Sequence, residues 1–170
     1  MKRKGYVHIY TGDGKGKTTA AMGLAMRALG NNHTVDVVQF LKGQVTGELN
    51  FKHPNFTLTQ FGTKHFITST PSKLDLDLGQ NALQYISNLL SNKKPDVLIL
   101  DEIIDAMSYN IISESDILNI INNKPSHTEL ILTGHTITPN LLNKSDLVTE
   151  MKKIKHYYDK GILARQGIEY

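Results

Sequence analysis

One short stretch of the chain, YTGDGKGKTTAA from Tyr10 to Ala21, alternates glycines with charged residues. Gly12, Gly14 and Gly16 allow successive backbone N–H groups to turn inward as a nest for an anion. A helix that begins directly behind them adds unpaired N–H donors and the favourable end of its dipole. The lysines and threonines of the stretch supply mobile positive charge and hydroxyl groups. This stretch therefore predicts a phosphate-binding loop.

The predicted loop departs from the strict phosphate-loop pattern at one position. The pattern is glycine, four residues, glycine-lysine, then serine or threonine. Gly16-Lys17-Thr18 fits its end, whereas Thr11 stands at the opening position. In such a loop Lys17 reaches the phosphates and the Thr18 hydroxyl reaches Mg²⁺. A glycine-rich turn that binds nothing is the alternative, but the apolar strand before the loop and the helix after it favour phosphate binding.

Two carboxylates follow another apolar segment, Val97–Leu100, in which every residue is aliphatic. Asp101 and Glu102 then stand at the end of the predicted strand. In open α/β sheets, ligands bind outside the carboxyl ends of the strands, and in phosphate-loop proteins an acid there helps to hold Mg²⁺. Thr18, Asp101 and Glu102 are therefore the candidate metal ligands. Two solvated acids at a strand end are the alternative.

Apolar segments of strand length alternate with segments of helical periodicity along the chain. Strands are predicted at Tyr6–Tyr10, Val35–Leu41, Phe56–Phe61, Val97–Glu102, Leu130–Thr133 and Leu147–Met151. Helices are predicted at Lys17–Leu29, Asp75–Asn92, Glu114–Asn122 (capped by Ser113) and Pro139–Lys144. This alternation is typical of an α/β fold with a mostly parallel sheet flanked by helices. No repeat or linker interrupts it, so residues 1–170 are predicted to form a single domain.

Composition narrows the possible classes of protein. The chain has 170 residues, enough for one substantial core, and no cysteine, which excludes disulfides, cysteine zinc sites and thiol nucleophiles. No apolar run approaches the roughly 20 residues of a membrane span, and the N-terminus shows no signal-peptide core. A cytoplasmic protein without membrane contact is expected. The net charge is +3, but the basic clusters lack interleaved aromatics, so nucleic acid is not an expected partner.

Taken together, the motifs resemble the ATP:corrinoid adenosyltransferases of the cobalamin salvage and biosynthesis type. The resemblance is carried by YTGDGKGKTTAAMGLAMRALG, VVQFLKG followed by Glu48, VLILDE, LTGH, DLVTEM and the terminal GILARQGIEY. These segments cover nearly the whole chain in the family's order. The resemblance implies a single-domain RecA-like phosphate-loop fold and a homodimer.

The same resemblance implies a reaction. Members transfer the 5′-deoxyadenosyl group of ATP to Co(I) of a corrinoid and release triphosphate, with Mg²⁺ or Mn²⁺ and an electron donor such as a flavoprotein reductase. Co(I) is a nucleophile with no proton to lose, so the reaction needs no general base and Glu102 is not assigned as one. By resemblance, Lys17, Thr18 and Glu102 are the residues that carry the reaction.

The substrate-binding residues are also implied by the resemblance. Those that hold the nucleotide are Gly12, Asp13, Gly14, Lys15, Gly16, Lys17, Thr18 and Thr19. The family often has a Phe-Thr-Trp segment whose aromatics crowd the lower face of the corrinoid, but this chain has no tryptophan. The matching region, Lys64–Thr68, offers Phe66 as the apolar wedge, with His65 as the alternative. A second departure is His135, where arginine is common.

Two other functions remain open on the residues alone. A phosphate-loop kinase or NTPase would cleave the γ-phosphate, with Glu102 as a base or water-positioning group. A nucleotide-responsive binding module would act through partners instead. A phosphate nest with a metal ion indicates that a triphosphate is bound. Phosphoryl transfer, hydrolysis and displacement at the ribose all require that the negative charge of the triphosphate be neutralised. The loop alone therefore does not say which bond breaks.

Overall fold

The computed structural model describes residues 4–65, 67 and 70–170, and six strands form one sheet. The strands are β1 (Val7–Thr11), β2 (Val35–Phe40), β3 (Phe56–Phe61), β4 (Val97–Asp101), β5 (Glu129–Thr133) and β6 (Leu147–Glu150). They lie in the order β3-β2-β4-β5-β1-β6, and each neighbouring pair is parallel. The predicted α/β class and its parallel sheet are confirmed. Predicted strand ends differ from these bounds by one residue at most.

Five α-helices connect the strands in the part of the chain that the structure describes. They are α1 (Lys17–Leu29), α2 (Lys73–Asn88), α3 (Ile103–Ser108), α4 (Glu114–Asn123) and α5 (Pro139–Lys144). Single 3₁₀ turns occur at Gly47–Asn50 and Tyr157–Lys160. The sequence did not predict α3 or the 3₁₀ turns, because each is too short to show a helical repeat. The equally short α5 carries a start signal, a capping Thr138 followed by Pro139, whereas α3 has no capping side chain. Among the described residues, no helix combines the length and apolar character that a membrane crossing requires.

The second helix ends differently from its prediction. It was expected to run as one α-helix from Asp75 to Asn92, but the α-helical part ends at Asn88 and Leu89–Lys93 form a wider π-helical turn. Lys94 adopts a left-handed conformation (φ 51°), and its N–H donates to the carbonyl of Leu89 at 2.7 Å. This hydrogen bond joins residues five positions apart, as in a π-helix, and closes the turn. Leu89 remains buried in the core.

The sheet has a packed layer on each face. On one face the alanines of α1 (Ala21, Ala25 and Ala28) contact the branched side chains of β2, β4 and β5. Small residues let this helix lie close to the sheet, which brings its first turn to the strand ends. The other face is covered by apolar residues of α2, α3, α4 and α5. The central residues of α1 and α2 on these faces, such as Ala25 and Ala82, are buried.

Because the strands are parallel, their carboxyl ends lie at one edge of the sheet. β1 leads there into the predicted phosphate loop, β2 into the segment that begins at Leu41, β4 into Glu102 and β5 into Gly134. The topology therefore brings four separate sequence segments to this edge, among them the phosphate loop and the two predicted carboxylates.

The predicted cap of α4 gives a test of local stability. Ser113 accepts the N–H of Asp116, and Asp116 accepts the N–H of Ser113, which is a complete capping box. We expect Ser113→Ala to lower the free energy of unfolding by about 1 kcal/mol. Ser87→Ala, at an exposed position near the end of α2, serves as the matched control and should be neutral or slightly stabilising. Denaturant unfolding measures both, and equal effects would contradict the capping role.

Candidate active site

The glycines of the loop are required by their backbone conformation and by the close backbone of Met151. Gly12 and Gly16 adopt φ values of 104° and 126°, which favour glycine. A Cβ atom on Gly12 would lie 2.4 Å from the carbonyl oxygen of Met151, and one on Gly14 would lie 2.6 Å from it. The N–H of Gly14 donates to that same carbonyl at 2.6 Å. The residue that follows β6 thus supports the loop from outside.

The threonine at the opening position has its own partner. The Thr11 hydroxyl donates to the carbonyl of His135 at 2.8 Å, and the N–H of Gly12 donates to it at 3.0 Å. Thr11 is the last residue of β1 and keeps strand geometry, so the left-handed turn begins only at Gly12. The departure from the phosphate-loop pattern therefore ties the loop to the end of β5 at no conformational cost.

The two loop lysines point in opposite directions. The Lys17 side chain is buried, and its ammonium donates to the carbonyls of Gly12 (2.7 Å) and Gly14 (3.1 Å). The ammonium of Lys15 leaves the loop and donates to Glu169 near the C-terminus at 2.7 Å. Lys17 therefore lies inside the nest, where an entering phosphate could take the place of the two carbonyls, whereas Lys15 lies at its rim.

The carboxylate of Asp101 is 1% exposed and accepts four hydrogen bonds. Its Oδ1 accepts from the hydroxyls of Thr18 and Thr133, each at 2.8 Å, and its Oδ2 accepts from Gln39 at 3.0 Å and Lys42 at 2.6 Å. Both oxygens are thus engaged. The Thr18 proton is directed to Asp101, and the ammonium of Lys42 donates to the Thr18 oxygen at 3.4 Å, so one lone pair of that oxygen remains available to a metal ion.

Glu102 lies in an unusual electrostatic setting. Its backbone is left-handed (φ 61°), and its N–H donates to the Thr133 hydroxyl at 2.8 Å. Burial, a hydrogen bond with Asp105 and the negative charge of Asp101 raise the pKa of Glu102 to about 8. Burial also disfavours the charged form of Asp105, but hydrogen bonds from Glu102 and His135 outweigh it and lower the pKa of Asp105. The two carboxyl groups therefore share one proton at neutral pH.

Glu102, Asp105 and His135 form a cluster that the sequence did not predict. Potential ligand atoms of the three residues all lie within 4.8 Å of one another. His135 Nδ1 lies 3.0 Å from both oxygens of Asp105. Two carboxylates and an imidazole suit a divalent cation, which would replace the shared proton and relieve the repulsion between the acids. The spacing of Glu102 and Asp105, three residues apart, could have suggested Asp105 as a second ligand. His135 follows β5, in a distant part of the sequence, and no spacing could have suggested it.

A cleft of about 640 Å³ opens above these groups. Its wall combines the loop, the segment after β2, the segment after β3 and the C-terminus. The predicted site residues that line it are Lys15, Gly16, Lys17, Thr18, Thr19, His65 and Glu102. Asp101 lies beneath the cleft, and Asp13 is exposed, with its carboxylate accepting the N–H of Lys153. Phe66 lies outside the described residues.

The segment after β2 contributes residues that the sequence analysis did not assign a role. Lys42 lies 3.4 Å from the Thr18 hydroxyl and 2.6 Å from Asp101. Thr46 precedes the 3₁₀ turn at Gly47–Asn50, but its hydroxyl does not cap that turn. Thr46 Oγ1 and Glu48 Oε2 are buried in the cleft wall without a hydrogen-bond partner among the described residues. Both atoms are therefore free to meet a polar group of a substrate.

Comparisons with known proteins identify the family of this chain. A family model described as ATP:corrinoid adenosyltransferase BtuR/CobO/CobP matches residues 3–170. The chain belongs to this family. The corrinoid adenosyltransferase CobA of Salmonella typhimurium is 33% identical over 172 residues, covering 100% of this chain and 88% of that protein. The corrinoid adenosyltransferases of Escherichia coli K12 and of a Sinorhizobium species are 32% and 34% identical and are covered over 86% and 81% of their lengths.

Family membership confirms the resemblance found in the sequence and the prediction of a transferase. This adenosyltransferase uses ATP and acts on a corrinoid. The comparisons give no support to a kinase or NTPase that cleaves the γ-phosphate. They do not test the individual site residues, so the roles of Lys17, Thr18, Asp101, Glu102 and the other assigned residues stay predictions.

The raised pKa of Glu102 predicts a pH-dependent stability of the metal-free protein. The folded-state pKa of about 8 exceeds the reference value of 4.5, so the folded state holds more protons than the unfolded state between these values. Stability from this residue is therefore lost as pH rises through that window. We expect the melting temperature of Glu102→Gln, relative to wild type, to increase from about pH 5 to about pH 9 in the presence of EDTA.

The control for this measurement is Glu150→Gln, at an exposed position of β6. Its melting temperature relative to wild type should stay constant over the same pH range. A constant difference for Glu102→Gln as well would contradict the assigned proton sharing.

Proposed function

We propose that this adenosyltransferase joins Co(I) of its corrinoid substrate to the C5′ carbon of ATP, with the intact triphosphate as leaving group. The observation that carries the proposal is a nest-forming phosphate loop with a buried inward lysine, in a chain matched by the family model over residues 3–170. Displacement at C5′ by a metal nucleophile requires no proton acceptor. The site accordingly needs donors for the leaving triphosphate rather than a base.

The loop supplies those donors. Negative charge grows on the triphosphate oxygen as the bond to C5′ breaks. Lys17 would exchange its contacts with the carbonyls of Gly12 and Gly14 for phosphate oxygens, and the N–H groups between Gly12 and Thr18 would add to them. Fixed donors of this kind stabilise the developing charge because they need no reorientation during the reaction.

The residues present fit a divalent metal ion. Mg²⁺ or Mn²⁺, when bound, supplies positive charge that stabilises the leaving triphosphate. The Thr18 hydroxyl and the Glu102 carboxylate would hold it, with Asp105 and His135 beside Glu102. Asp101 supports this site from beneath, because it fixes the Thr18 hydroxyl while its own oxygens are engaged.

The corrinoid is assigned to the side of the cleft formed by the segments after β2 and β3. These segments touch through their backbones, since a Cβ on Gly62 would lie 2.3 Å from the nitrogen of Lys42. His65 lines the cleft there. It stays one of the two candidates for the apolar wedge, together with Phe66.

Further proposals follow from the family resemblance. We assign one domain to residues 1–170, a cytoplasmic location, a homodimer and an electron donor such as a flavoprotein reductase. Exposed apolar residues on and after β6, Leu147, Val148 and Ile154, support an intersubunit surface. Sedimentation equilibrium tests the dimer, and a monomer at micromolar concentration would contradict it.

Product analysis tests the proposed bond cleavage. Incubation with ATP, Mg²⁺ and a chemically reduced corrinoid should yield intact tripolyphosphate and adenosylated corrinoid in equal amounts. The reason is that attack at C5′ leaves every P–O bond of the phosphate chain unbroken. Ion chromatography with ultraviolet-visible spectroscopy measures both products. ADP and orthophosphate with an unchanged corrinoid would favour a γ-phosphate reaction instead.

Removal of the inward lysine tests the site. We expect Lys17→Ala to lower kcat/KM by about 10²–10³, because one fixed donor to the leaving group is lost. The fold should persist, since Lys17 contacts loop carbonyls rather than the apolar core. Lys73→Ala, at an exposed position of α2, is the control and should react at the wild-type rate. Wild-type kinetics for Lys17→Ala would refute the assignment.

A further inference from the structure

The C-terminal segment, residues 164–170, forms part of the substrate cleft. It follows the 3₁₀ turn at Tyr157–Lys160 and runs back along the rim of the phosphate loop. Ala164 and residues 167–170 line the cleft together with the loop. The exposed apolar side chains of this segment include Ile168 and Tyr170, which are 58% and 44% exposed. The last residues of the chain thus offer an apolar surface beside a phosphate site.

The carboxylate of Glu169 is the centre of the hydrogen bonds that hold this segment in place. Glu169 Oε1 accepts hydrogen bonds from the ammonium of Lys15 (2.7 Å) and the hydroxyl of Tyr157. Glu169 Oε2 accepts from the backbone N–H of Arg165 at 2.7 Å and from its guanidinium Nε at 3.3 Å. Lys15 also donates to the carbonyl of Ile168 at 3.0 Å. One residue of the loop therefore binds two consecutive residues of the C-terminal segment.

The surroundings of Glu169 are fixed by several independent contacts. The Arg165 guanidinium lies 4.7 Å from the centre of the Tyr157 ring, in the range of a cation–π interaction. Hydrogen bonds from Arg165, Lys15 and Tyr157 hold the pKa of Glu169 well below its usual range. Glu169 is therefore ionised at any pH at which the protein works. The ammonium of Lys15 points away from the loop interior that Lys17 occupies.

We propose that Lys15 is an anchor for the C-terminal segment rather than a phosphate ligand, and that Glu169 is the positioning residue that closes this segment over the ATP cleft. The pair Lys15–Glu169 joins residues 154 positions apart in the chain. This contact places Ile168 and Tyr170 in the cleft wall, where their apolar surface would limit the access of water to the phosphate loop once ATP is bound. This inference rests on the proposed function only in taking the cleft as the ATP site.

Binding measurements on the two partners test the anchor. We expect Lys15→Met and Glu169→Gln each to weaken ATP binding on the order of fivefold, as for a partly exposed ion pair, and the double variant to be no worse than either single one. Isothermal titration calorimetry with ATP and Mg²⁺, without corrinoid, measures the affinities independently of the reaction. If Lys15 contacts phosphate instead, its substitution will cost far more than that of Glu169 and the two effects will add, which would overturn the proposal.

Truncation gives a second test that does not depend on side-chain replacement. Deletion of residues 167–170, which form no part of the buried core, should weaken ATP binding as much as Glu169→Gln does. Lys15→Met should then have no further effect. Glu114→Gln, whose carboxylate contacts Thr138 and Asn140 instead of the cleft, is the matched control. A further loss from Lys15→Met in the truncated protein would contradict the anchor.

The chain has no tryptophan, so a single introduced one reports on the cleft wall. We expect ATP to change the fluorescence of Tyr170→Trp and to leave that of Tyr6→Trp unchanged, because Tyr6 precedes β1 at the opposite edge of the sheet. Adding Glu169→Gln to Tyr170→Trp should abolish the response. A Tyr170→Trp protein that binds ATP calorimetrically without any change in fluorescence would refute the closure of this segment over the nucleotide.

Discussion

The buried carboxylate of Asp101 is the constraint on which the rest of the site depends. An ionised carboxylate removed from water is costly unless donors surround it, and Asp101 receives four. They come from α1 (Thr18), β2 (Gln39), the segment after β2 (Lys42) and β5 (Thr133). Satisfying one charge therefore fixes the relative positions of the phosphate loop, two strands and a cleft wall. Loss of Lys42 would remove the cation that pairs with this carboxylate, and loss of a neutral donor would leave one of its hydrogen bonds unmade.

The sequence predicted those parts of the structure that depend on local physics. The bounds of α1 follow from a glycine-rich start, helical spacing of small apolar residues and Gly30 at the end. The cap at Ser113 and the aliphatic run before Asp101 are similarly local. Each of these signals is contained within a few residues, so no knowledge of the fold is needed to read it.

The parts that sequence reasoning missed are contacts between distant segments. Asp105 and His135 are 30 positions apart and meet only because α3 and the end of β5 lie side by side. Neither residue belongs to a spaced ligand motif, and α3 is too short to show periodicity. The role of Thr11 was hidden for the same reason, since its partner is a carbonyl 124 positions away. Short-range patterns carry no information on such pairs.

The position of β1 within the sheet has a consequence for how the protein is made. β1 lies near the start of this sequence, whereas its two neighbours in the sheet, β5 and β6, lie within residues 129–150. During synthesis on the ribosome, β1 stays without these neighbours until the residues of β5 and β6 have emerged. Pairing over such sequence separations is slow, and an unpaired apolar strand is prone to aggregation. The strand that leads into the phosphate loop thus gains both of its neighbours only after β5 and β6 have been made, so the loop cannot reach its folded position in the sheet before then.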